Sequence, residues 1–74
     1  MYKMTSDEID RLKLEYDSVA DAIIEYESDL KEYRTGNNRF ISIDDIHIIE
    51  EQLFYMRGYK RLLIIRLYQQ GVKV

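Results

Sequence analysis

The sequence predicts an all-α fold: an antiparallel two-helix hairpin of coiled-coil type that self-associates into a helical bundle. Three observations carry this expectation. Two long segments place apolar residues in alternating steps of three and four, the spacing of a single helix face. Each segment opens on a helix-capping motif. Between them, the turn formers Thr35-Gly36-Asn37-Asn38 interrupt a chain of 74 residues that has no proline and three glycines. The whole chain, 1–74, reads as one helical-hairpin domain: helix 1 over about 6–35, a turn at 36–41 and helix 2 over about 43–70.

Helix 1 begins at Thr5-Ser6-Asp7-Glu8. The Thr5 hydroxyl is placed to accept from the Glu8 amide while the Glu8 carboxylate reaches back to the Thr5 amide. Met4 and Ile9 are spaced as a hydrophobic staple around that cap. The seam then runs Ile9, Leu12, Tyr16, Val19, Ile23, Tyr26, Leu30 and Tyr33 without a polar break. Acids come early (Asp7, Glu8, Asp10) and bases late (Lys31, Arg34), as the helix dipole favours. Gly36 suits the left-handed residue that ends a helix.

Helix 2 repeats the device with Ser42 as cap, Asp45 as the returning acid, and Ile41 with Ile46 as the staple. Its seam is Ile46, Ile49, Leu53, Met56, Lys60, Leu63, Leu67 and Gln70, in which Lys60 and Gln70 are polar flaws. Gly71 suits its end. Alternating β-branched residues in Arg39-Phe40-Ile41-Ser42-Ile43 admit a short strand there instead. Each helix would be about 42–45 Å long at 1.5 Å per residue. Equal rods joined by a short turn pack antiparallel. Charge agrees: residues 1–35 hold ten acids and five bases, residues 36–74 four acids and six bases.

One mate cannot cover helix 2. Outside its seam it carries Ile48, Tyr55, Tyr59 and Leu62 on one flank, and Phe54, Ile64, Ile65 and Tyr68 on the others. A helix that is apolar nearly all round belongs in an interior, and a chain this short has little core of its own. Self-association is therefore expected, most simply as a C2 dimer forming a four-helix bundle, with Ile48, Tyr55, Tyr59, Leu62, Phe54 and Ile65 as the oligomer interface. Higher closed oligomers, or another protein laid on helix 2, are the alternatives.

Chemistry is sparsely signalled. With no cysteine, thiolate metal sites, disulfides and thiol nucleophiles are excluded. No phosphate loop or catalytic elbow occurs. His47, the single histidine, stands at helical spacing from Asp44, Glu50 and Glu51, but an apolar helix 1 seam supplies no facing carboxylates, so no metal and no cofactor is expected. The paired acids read as a solvated face. Bases and aromatics interleave at Arg57, Lys60, Arg61, Arg66 and Tyr68, which are the candidate contacts for nucleic acid or an anionic small ligand. Gly58, inside a helix, costs about 1 kcal/mol against alanine and has no local explanation. With no cysteine, no apolar leader after Met1 and no long apolar run, a cytoplasmic location with no membrane partner is expected, and the net charge of -3 argues against a general nucleic-acid coat.

In plan the sequence resembles small helical-hairpin dimers such as the plasmid RNA-binding protein Rop. That resemblance is one of architecture and does not carry function. The reading is of a small non-enzymatic binding protein, a regulator or inhibitor of the phage or mobile-element accessory kind, acting on another protein as a homo-oligomer. The alternatives are an oligomer holding a nucleotide-like anion at a subunit junction, and a nucleic-acid-binding regulator using the basic half of helix 2.

Overall fold

The structure, a computed structural model, describes residues 2–36 and 42–74. It is all-helical: α1 spans Ser6–Arg34 and α2 spans Ile43–Gln69, and no strand occurs among the described residues. The Asn37-Asn38 turn, the Ile41 half of the second staple and residues 39–41 of the alternative strand lie outside the described residues. Ser42 and Ile43, the last two residues of that alternative, are the cap and first residue of α2.

Local sequence dictates where the helices begin and end. At α1 the Glu8 amide donates to Thr5 Oγ1 at 3.2 Å and the Thr5 amide donates to Glu8 Oε1 at 3.1 Å. At α2 the Asp45 amide donates to Ser42 Oγ at 3.1 Å and the Ser42 amide to Asp45 Oδ2 at 3.4 Å. Both boxes satisfy amides that have no partner inside the helix. At the other end of α2, Gly71 takes φ +78°. Its amide donates to the Tyr68 carbonyl, and the Val72 amide to the Leu67 carbonyl, each at 2.9 Å. That is a Schellman ending, and Val72 packs on the Leu12, Leu63 and Leu67 cluster as the motif requires.

The helices pack antiparallel along their seams. Leu12 meets Leu63 and Leu67 at one end; Ile23 and Leu30 meet Leu53 toward the other. These six are the buried residues among those described, and every other seam position of both helices is half-buried. The two polar flaws in the α2 seam have partners. The Lys60 ammonium lies 5.9 Å from the centroid of the Tyr16 ring, a cation–π arrangement. Gln70 clamps the chain entering α1: its Oε1 accepts from the Met4 amide and its Nε2 donates to the Tyr2 carbonyl, both at 2.9 Å.

The result is a rod of 48 × 16 × 15 Å with a radius of gyration of 15.8 Å, against about 11 Å for a compact chain of this length. A rod two helices thick has one internal groove and no second layer. Neither helix described is long and apolar enough to cross a membrane.

Candidate interaction surface

The face of α2 turned away from α1 remains uncovered. At about 100° per residue, Ile49 and Leu67, nine positions either side of Gly58, point to the side opposite it. Both belong to the seam packed on α1, so Gly58 marks the middle of the outer face. Around it stand Phe54, Tyr55, Tyr59, Leu62 and Ile65, which with Arg57 and Arg61 line an open concavity of about 860 Å³. The five apolar side chains are all exposed, Phe54 most of all at 72%. Phe54 and Tyr55 meet edge to face, their ring centroids 5.6 Å apart.

The floor of the concavity is the Gly58 backbone. A Cβ built there would meet no atom within 4 Å. Packing inside the hairpin therefore does not require glycine, and its cost of about 1 kcal/mol in a helix is not recovered within this chain.

The expected interface residues separate slightly. Phe54, Tyr55, Tyr59, Leu62 and Ile65 share the concavity; Ile48, also exposed, lies a turn or more toward the start of α2 and outside its lining. Tyr59 has a second engagement, since its hydroxyl donates to the Glu15 carboxylate of α1, an attachment that sequence periodicity did not signal. Ile64, read as surplus, is half-buried.

Of the candidate contacts, Arg57 and Arg61 share the concavity, whereas Lys60, Arg66 and Tyr68 lie outside its lining. Arg57 pairs with Glu27 of α1 at 3.7 Å, and Lys60 sits over Tyr16 on the buried side. Arg61 lines the concavity. Arg66 borders a smaller one of about 210 Å³ with Met4, Glu8, Arg11, Leu12 and Glu15, and Tyr68 is exposed. Among the described residues, ion pairs join Arg57 to Glu27 and Arg34 to Glu50; both are well exposed, and such pairs contribute about 0–1 kcal/mol each. His47, Asp44, Glu50 and Glu51 are all exposed, and the described residues contain no group of three or more acids or histidines arranged to hold a metal.

Titration is perturbed at the entry to α1, far from this face. Hydrogen bonds from the Thr5 amide, and then from the Tyr2 hydroxyl, hold Glu8 below the ordinary glutamate value. The same Tyr2–Glu8 bond, 3.0 Å to each carboxylate oxygen, raises the Tyr2 phenol. No protein family, curated protein or solved structure matches this chain.

Proposed function

We propose that the chain is a non-enzymatic binding module that works as a homo-oligomer through the outer face of α2, and that it regulates or inhibits another protein through the surfaces left exposed. The observation that carries this reading is the concavity around Gly58. Its lining combines Phe54, Leu62 and Ile65 with two tyrosines and two arginines, and tyrosine and arginine are among the residue types that dominate protein-binding hot spots. Its lining is largely aromatic and aliphatic, a composition suited to burial against another surface.

The surface area supports the same reading. The chain exposes 5906 Å², where a compact monomer of 9.0 kDa exposes about 4,900 Å². The excess of about 1,000 Å² is comparable with the roughly 800 Å² each partner contributes to a stable interface.

Light scattering on a concentrated sample is the test, with a mass at least twice 9.0 kDa expected. Leu62→Glu should lower that mass while leaving helicity by circular dichroism intact, because Leu62 is exposed in the hairpin. A single-copy mass at every concentration would end the proposal.

A further inference from the structure

We infer that two copies pair through antiparallel α2 helices crossing at Gly58, so that the four helices of the dimer form a flat row, α1–α2–α2–α1, rather than a square bundle. The inference rests on the self-association proposed above and names its contact, register and direction.

Three observations carry it. The first is the glycine itself. A helix interior position with open space for a Cβ is nonetheless glycine, at the centre of an exposed apolar concavity. Bare backbone at such a point allows a second helix to approach closely, at the short end of the usual 8–10 Å between packed axes. The second is position. Gly58 points away from the seam packed on α1, so a helix laid on it is collinear with the first pair; a square bundle needs faces at about a right angle.

The third is charge, which sets the occupant as a second copy and its direction as antiparallel. On the outward side of α2 the acids Asp44, Glu50 and Glu51 precede Gly58 and the bases Arg61 and Arg66 follow it, while Lys60 lies on the α1 side over Tyr16 and Arg57, next to Gly58, pairs with Glu27. Parallel copies would lay acid on acid and base on base. Antiparallel copies lay the acidic half of each on the basic half of the other and also oppose the helix dipoles. A two-fold axis at Gly58 sets residue 58 − n level with residue 58 + n of the other copy. Level residues stand on opposite sides of the contact, so the neighbours on one side are one position off level: Leu62 packs beside Tyr55, Phe54 lies beside the Arg61 guanidinium, and Glu51 comes against Arg66. Within the hairpin Glu51 and Arg66 are both exposed and, among the described residues, join neither ion pair.

The experiment measures the dimer dissociation constant by sedimentation equilibrium, with helicity checked by circular dichroism. Gly58→Ala should weaken dimerisation roughly tenfold, even though alanine is the better helix former and strengthens the isolated hairpin. Glu51→Arg should weaken it by a similar factor, and Glu51→Arg with Arg66→Glu should restore it. An unchanged constant for Gly58→Ala, or a double variant no tighter than the single one, overturns the crossing while the parent chain still dimerises. A parent chain that never dimerises overturns the self-association reading instead.

Discussion

Glu8 illustrates how much a single side chain does at a helix start. Its carboxylate accepts from the Thr5 amide and the Tyr2 hydroxyl, and both bonds favour the ionised form. A carboxylate whose value is lowered by folding contributes stability above its unfolded value, and loses it as the pH falls through the lowered folded one. Tyr2 has the opposite sign: its raised phenol contributes below its unfolded value and loses that contribution as alkaline pH passes the raised one. Thermal melts should therefore show a plateau at neutral pH with a decline on each side. Glu8→Gln, which keeps a capping acceptor without a titrating group, should flatten the acid decline. An acid limb identical to the parent's would place its source elsewhere. Gln70 is a second case. It reads as a flaw in the seam, yet it satisfies both a donor and an acceptor of the chain entering α1. Gln70→Leu should cost about 1–2 kcal/mol in urea unfolding despite matching the apolar pattern better, because it leaves the Met4 amide unpaired.

At the scale of the element, the two helices are bounded by their own local chemistry. The Thr5/Glu8 and Ser42/Asp45 boxes are legible as residue patterns because a capping box is made within four consecutive residues. The glycine ending is equally local. Gly71→Ala forces a side chain into φ +78° and should lower stability by about 1 kcal/mol, measurable as a shift in urea midpoint at constant slope. The regular three–four spacing made the seam legible too, since a straight apolar stripe has one way to bury itself. Lys60 and Gln70 were legible as exceptions, but their partners, Tyr16 and the Tyr2–Met4 backbone, belong to a distant part of the chain. The Tyr59–Glu15 bond was hidden for the same reason.

The whole molecule sorts neighbouring leucines into different roles. Leu63 is fully buried between α1 and α2, whereas Leu62 is 57% exposed on the outer face. Leu63→Ala should destabilise the hairpin by about 2–5 kcal/mol through lost packing and the cavity it leaves, seen as early unfolding in urea. A variant that unfolds like the parent would contradict the packing of the core. The candidate surface was only half legible in the sequence. Surplus apolar residues on α2 announced an unmet need for cover, but the basic residues read as one cluster divide among an ion pair with Glu27, a tyrosine face, the concavity and a second small hollow.

Sequence alone determined what is written in local spacing: two capped helices, an unbroken apolar seam on the first, a seam with two polar exceptions on the second, and more apolar surface on the second than one mate can take. Only the tertiary structure decided the long-range partners: Lys60 lies over Tyr16, Gln70 holds the Tyr2–Met4 backbone, Tyr59 reaches Glu15 and Arg57 pairs with Glu27. The reason is that helical periodicity specifies angles around one axis, whereas which residue of α1 lies level with which of α2 is set only when the two helices pack.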